Sequence, residues 1–134
     1  MANPDTATRT FPFLDLKGLH DSMRPELDAA IARVLAHQRF INGPEVGELE
    51  CAFAGFCGAR FAAGMSNGTS ALTGLLVACG IGPGDEVIVP SHTFLATVES
   101  VVEARATPVL ADIDGETMVL SAAAVEAAIT PCTA

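Results

Sequence analysis

From Phe61 onward, short apolar runs alternate with segments of helical periodicity, and no other feature constrains the fold as strongly. Phe61–Met65, Glu86–Val89 and Pro108–Ala111 read as strands. The first is followed by a helix from the Ser66–Thr69 turn to Cys79, with Leu72, Leu75, Leu76 and Cys79 apolar. The second leads through Ser91-His92-Thr93 into a helix carrying Phe94, Leu95, Val98, Val101 and Val102, and the third into a short helix over Ser121–Ala128. Such alternation predicts an α/β fold, a mostly parallel sheet covered by helices. Gly80-Ile81-Gly82-Pro83-Gly84-Asp85 is a stop and turn, Pro90 ends the second strand, and Asp112-Ile113-Asp114-Gly115 ends the third. The last helix should feed another parallel strand. Residues 129–134 read as none, so the pattern predicts a truncated sheet.

Upstream, Met1–Thr10 is polar and expected to be flexible, and residues 11–134 are expected to form one partial domain. Phe11–Leu16 reads as extended, because Pro12 biases its predecessor away from helix. A helix is expected over Ser22–Ala36, with Leu27, Ile31, Val34 and Leu35 on one stripe and Pro25 in its first turn. Arg39–Gly43 breaks it. Pro44 starts a second helix bearing Val46, Leu49, Phe53 and Phe56, and Gly58 ends it. The formal charge of −9 argues against a nucleic-acid groove or an anionic membrane as partner, while leaving room for an anion held by backbone amides. Cys51, Cys57, Cys79 and Cys132 have no C-x-x-C spacing and read as buried free thiols. No signal peptide and no 18-residue apolar run is visible, so a cytoplasmic location is expected.

The chemistry-bearing candidates stand at the ends of the strands. At Asn67-Gly68-Thr69-Ser70, Gly68 lets a ligand approach the backbone. The amides of Gly68, Thr69 and Ser70 are orphan donors at a helix start, and two hydroxyls add to them. The same residues also suit ordinary capping by Asn67 or Ser66, and spacing leaves both readings open. The stretch is neither G-x-G-x-x-G nor Walker A. Pro90-Ser91-His92-Thr93-Phe94 lies where open parallel sheets bind ligands. Phe94 can lay a ring face on a ligand or pack in the core, and His92 can touch a substrate or simply occupy the loop. Asp112 and Asp114 suit turn formation, no metal set stands at ligand spacing, and His20, His37 and the Glu45-Glu48-Glu50 group read as solvated surface.

These stretches, in this order, resemble the DegT/DnrJ/EryC1/StrS family of pyridoxal-phosphate aminotransferases, which act mostly on nucleotide-linked keto sugars. The resemblance is carried by Pro12–Leu16, Phe40–Val46, Glu50–Gly58, Ser66–Leu72, Gly80–Pro90, Ser91–Thr97 and Pro108–Asp114. It implies the N-terminal part of the large domain of a fold-type I, aspartate-aminotransferase-like transferase. It implies that Gly68, Thr69 and Ser70 contact the cofactor phosphate, with Ser70 standing where many relatives carry Asp. It implies that Phe94 stacks on the pyridine ring, that His92 lies at a variable position beside it, and that Asn42 belongs to a segment bordering the substrate mouth and the dimer interface. Pyridoxal 5′-phosphate, a nucleotide-linked keto sugar, an amino donor and a homodimer are thereby implied for the intact enzyme. The family's Schiff-base lysine falls beyond Ala134. Lys17, the one lysine, precedes the first main helix and does not match it, so no catalytic residue is assigned and the chain alone is expected to bind cofactor weakly or not at all. A second reading, of a different class, is a non-catalytic remnant that associates with another subunit.

Overall fold

A computed structural model describes residues 12–134, so the expectations for Met1–Thr10 and Phe11 lie outside the described residues. The chain divides into two compact units, one ending at Ala62 and one spanning Ala63–Ala134.

The first unit is helical: α1 (Leu16–Ser22), α2 (Arg24–His37) and α3 (Pro44–Cys57). Helix α1 replaces part of the expected extended segment. Asp15 caps it, accepting from the Gly18 N–H at 3.0 Å, and this local bond starts a helix that apolar spacing does not reveal. Lys17 lies in α1 and pairs with Asp21 one turn on. Pro25 and Pro44 stand in the first turns of α2 and α3, where a missing N–H costs least.

The second unit has the order α4 (Gly68–Ala78), β1 (Glu86–Pro90), α5 (Leu95–Glu103), β2 (Thr107–Ala111) and α6 (Ala122–Ala128). The strands are parallel, in a register that runs from Glu86↔Thr107 to Pro90↔Ala111. Val89, Val101 and Ala106 form the core, with Leu76, Ile81, Val87 and Val98 packed around them. Helix α4 packs on α5, while α5 lies on both strands and α6 on β2. The Thr107 N–H donates to the Asp85 carbonyl and the Ser91 N–H to the Ala111 carbonyl, so the odd-numbered residues of each strand carry the ladder. Pro90 and Pro108 fall on the even positions, whose missing N–H groups the ladder does not need.

Three further expectations need correction. Cys51, Cys57, Cys79 and Cys132 are free thiols but exposed, not buried, because the helix faces that carry the first three are left largely uncovered. Phe61–Met65 is not a strand: it joins no ladder among the described residues, and apolar content alone does not make one. Conversely, the last residues do pair with the sheet. The Glu86 N–H donates to the Cys132 carbonyl at 2.8 Å and the Ala134 N–H to the Glu86 carbonyl at 3.0 Å, making a parallel bridge to Thr133 on the edge of β1 opposite β2. A single bridge has too little sequence behind it to be read from periodicity.

Helices α3, α4 and α5 end on one hydrogen-bond pattern, in which a left-handed residue and its successor return to the last turn. Ala59 bonds to the Ala54 carbonyl, Ile81 to that of Leu76 and Ala106 to that of Val101. The left-handed residues are Gly58 (φ 66°), Gly80 (φ 82°) and Arg105 (φ 65°). Arg105 therefore carries a Cβ where the other two carry none. Arg105→Gly should stabilise the chain by roughly 0.5–1 kcal/mol and Gly80→Ala should destabilise it by about 1 kcal/mol, shifts of opposite sign in the thermal midpoint. A lowered midpoint for Arg105→Gly would contradict this account of the α5 terminus.

Candidate functional site

The first candidate feature is the open end of α4. Asn67 is extended (φ −165°, ψ 174°) and its Oδ1 accepts the Ser70 N–H at 2.9 Å. The capping reading is thus realised, and it removes Ser70 from the three expected amide donors. The Gly68 and Thr69 N–H groups have no acceptor among the described residues, and at the first two positions of a helix they face outward along its axis. Ser66 Oγ donates to Ser70 Oγ at 3.2 Å, which leaves the Ser70 hydroxyl proton available. No acidic residue stands in this first turn. Beyond its chain neighbours and the backbone of its own helix turn, a Cβ on Gly68 would meet nothing within 4 Å, and its φ is not left-handed, so neither packing among the described residues nor backbone conformation requires glycine there. What glycine provides is bare space over two unpaired amides. Two amides and two hydroxyls at a positive helix end fit a phosphate group.

The second feature is the connector from β1 to α5. The Ser91 N–H continues the ladder to the Ala111 carbonyl at 2.8 Å, and Ser91 Oγ donates to Asp112 Oδ1 at 3.2 Å. His92 is exposed in the bend that follows. Phe94 is the extended residue before α5 (φ −67°, ψ 139°), and it is 81% exposed. The core-packing alternative for Phe94 is therefore not realised, and its ring face is open. Asp114 is a turn former: its Oδ1 accepts from the Glu116 and Thr117 N–H groups and from the Thr117 hydroxyl, bonds that hold its carboxyl below the ordinary range. Asp112 does more than cap, because it also reaches Ser91 across the sheet end.

The third candidate, Asn42, lies in the first unit at the corner between α2 and α3, in a left-handed conformation (φ 49°). Gly43 follows it and is buried; a Cβ there would stand 2.5 Å from the Arg39 carbonyl oxygen. His37 and Glu45, expected to be plain surface, instead tie this corner together. The Arg39 N–H donates to His37 Nδ1 at 3.0 Å, so the ring's proton is on Nε2, which donates to Glu45 Oε1 at 2.9 Å. Arg33 reaches Glu45 at 3.1 Å and Glu48 at 3.3 Å. The sequence signal was a His in the last turn of one helix and a Glu in the first turn of the next.

An apolar hollow of about 280 Å³ lies among Leu72, Leu75, Leu76, Val87, Val89 and Val101. Its walls hold few polar groups, and neither Gly68 nor Phe94 lines it. Among the described residues no helix is long and apolar enough to cross a membrane, and no three His, Cys, Asp or Glu side chains are placed to hold a metal ion.

The model of the DegT/DnrJ/EryC1/StrS aminotransferase family matches residues 21–134. A UDP-2-acetamido-2-deoxy-3-oxo-D-glucuronate aminotransferase of Pseudomonas aeruginosa is 48% identical over 121 residues, which are 90% of this chain and 34% of that protein. The crystal structure of Streptomyces venezuelae DesV in complex with a ketimine intermediate superposes with a TM-score of 0.90 at 47% identity, over 94% of this chain and 34% of that one. NtdA from Bacillus subtilis with bound cofactor PMP gives a TM-score of 0.85 at 31% identity, over 94% of this chain and 30% of that one. The chain thus spans about a third of the length of the relatives it matches. The α/β fold with a helix-covered parallel sheet agrees with these fold-type I aminotransferase structures.

The corner carries a testable pH dependence. The hydrogen bond from His37 comes first, then Glu45's own backbone N–H and the Arg33 guanidinium, and together they lower the Glu45 carboxyl from the usual 4.5 to about 2. A depressed carboxyl contributes stability that is fully present above about pH 4.5 and lost as pH falls through about 2. The thermal midpoint should therefore fall across that window, and Glu45→Gln should flatten that fall. An acid response equal in both proteins would remove Glu45 as its source.

Proposed function

The chain belongs to the DegT/DnrJ/EryC1/StrS aminotransferase family, and from that premise we propose that it is the cofactor-holding portion of a pyridoxal-phosphate aminotransferase acting on nucleotide-linked keto sugars. The observation that carries this reading is the open end of α4, with two amides that have no acceptor among the described residues, under a glycine against which none of those residues packs. The Gly68 and Thr69 amides and the Thr69 and Ser70 hydroxyls hold the phosphate, while Phe94 supplies the open ring face for the pyridine. His92 stands beside that face, and Asn42 belongs to the substrate-adjacent corner. When bound, pyridoxal phosphate supplies the electron sink that amino-group transfer needs. This chain's residues bind and orient it; none of them is assigned a proton-transfer step, and Lys17 is occupied by Asp21.

The partners under this reading are the keto sugar, an amino donor and a second copy of the enzyme. Exposed Ile31, Leu35, Leu49, Phe53 and Phe56 on α2 and α3 support subunit association, since apolar stripes of this kind gain by being covered. The same surface favours the alternative of an associating, non-catalytic module, and turnover by the intact enzyme separates the two. A cytoplasmic location accords with nucleotide-sugar chemistry.

Pyridoxamine 5′-phosphate cannot form a Schiff base with Lys17 and is a clean probe. Added in excess, it should shift the Gly68 and Thr69 amide resonances and the Phe94 ring resonances. Gly68→Ala should weaken that binding roughly tenfold, about 1.4 kcal/mol, with the thermal midpoint unchanged or raised. Amides that stay unmoved, in this chain and in the intact enzyme alike, would refute the phosphate site.

A further inference from the structure

We propose that Asp112 is a positioning residue that fixes the Ser91–Phe94 connector, and through it the ring face of Phe94. The inference rests on the reading of Phe94 as the ring-stacking residue. An aromatic side chain that is 81% exposed is not placed by packing. Its location follows from its backbone, and that backbone is tethered at both ends. At the C-terminal side, the Thr97 N–H returns to the Phe94 carbonyl at 3.0 Å, and the Thr93 and Thr97 hydroxyls lie 3.0 Å apart. At the N-terminal side, the register that pairs Pro90 with Ala111 makes Ser91 and Asp112 the next pair, and their side chains meet there.

Asp112 is itself held from several directions. The Ile113 N–H donates to the same Oδ1 at 2.9 Å, and the Ser121 N–H donates to the Asp112 carbonyl at 3.1 Å. Ile113 forms an antiparallel bridge with Leu120, closing the excursion in which Asp114 gathers Glu116 and Thr117. A self-braced loop therefore presents one carboxylate oxygen to the Ser91 hydroxyl. Apart from the Ser91 N–H to the Ala111 carbonyl, the connector up to Thr97 makes no backbone bond to the sheet among the described residues. Losing the Ser91–Asp112 bond should free His92–Phe94 while leaving the α4 phosphate site intact.

The test uses Ser91→Ala, Asp112→Ala and Asp112→Asn, with two readouts. The first is backbone relaxation. His92–Phe94 should fall from rigid order parameters of about 0.85 toward about 0.6 in Ser91→Ala and Asp112→Ala, and stay rigid in Asp112→Asn, whose side-chain oxygen still accepts. The second is affinity. Ser91→Ala should weaken pyridoxamine 5′-phosphate several-fold and leave inorganic phosphate unchanged, because only the former uses the ring face. Unchanged relaxation, or equal weakening of both ligands, overturns the proposal. If Asp112→Ala does not fold, Ser91→Ala decides alone, since it removes a single exposed hydroxyl. If pyridoxamine 5′-phosphate leaves the wild-type Phe94 ring unmoved, the stacking reading itself fails; if the ring moves but the variants bind and relax as wild type does, only the role of Asp112 fails.

Discussion

The parallel ladder between β1 and β2 is the constraint on which the second unit depends. Its register brings Val89, 3% exposed, onto Val101, 2% exposed, and so seats α5. The same register decides which residues leave the sheet together. Ser91 and Asp112 emerge side by side because Pro90 and Ala111 are paired. A slip of one residue would turn Val87 and Val89 to the opposite face and would also separate that pair, so core and candidate site share one determinant. The two prolines support the same alignment. Each tolerates its missing donor only on the edge away from the other strand, and an odd register would place one of them where the ladder needs an N–H.

Capping and ligand binding at α4 are commonly weighed as alternatives, and here they divide one helix end between them. Asn67 takes the third amide, and the first two remain. The cap contributes about 1 kcal/mol to the helix. It also fixes the end geometry, so the unpaired donors are pre-arranged without any ligand. Gly68 sits on the free side of that division, which is why the absence of packing around it carries meaning. A glycine demanded by a left-handed φ, such as Gly84 at 101°, says nothing about ligands.

Much of this was legible in the residues, and the failures share a cause. Gly58 and Gly80 end helices where their position suggests, and Pro25 and Pro44 begin them, because these residues act through local backbone conformation. The strands at Glu86–Pro90 and Thr107–Ala111 were visible because branched side chains cluster between turn signals. Phe61–Met65 has equally apolar content but joins no sheet among the described residues, and pairing is not a local property. The bridge at Thr133 failed in the opposite direction, since its partner lies far back at Glu86. His37 and Glu45 are separated by a corner whose path depends on left-handed Gln38 and Asn42, so their meeting could not be read from spacing. At the candidate site, the residue types were legible and the tether from Asp112 was not, for it needs the register.

The apolar inventory bears on how such a chain functions. Half its residues are hydrophobic, yet Phe56 is 87% exposed and α2 and α4 bury no residue fully. Covering one such phenylalanine stabilises by roughly 1.5–3 kcal/mol, and the exposed set includes many residues of that size. Under the proposed reading, association would therefore contribute stability comparable to folding itself. The cofactor site would inherit this dependence. The Gly68 and Thr69 amides are fixed by a local cap, whereas Phe94 is held, among the described residues, through the bonds at either end of its connector, and a surface packed over the connector would restrict it further. Phosphate binding should accordingly tolerate loss of the surrounding assembly better than ring binding does.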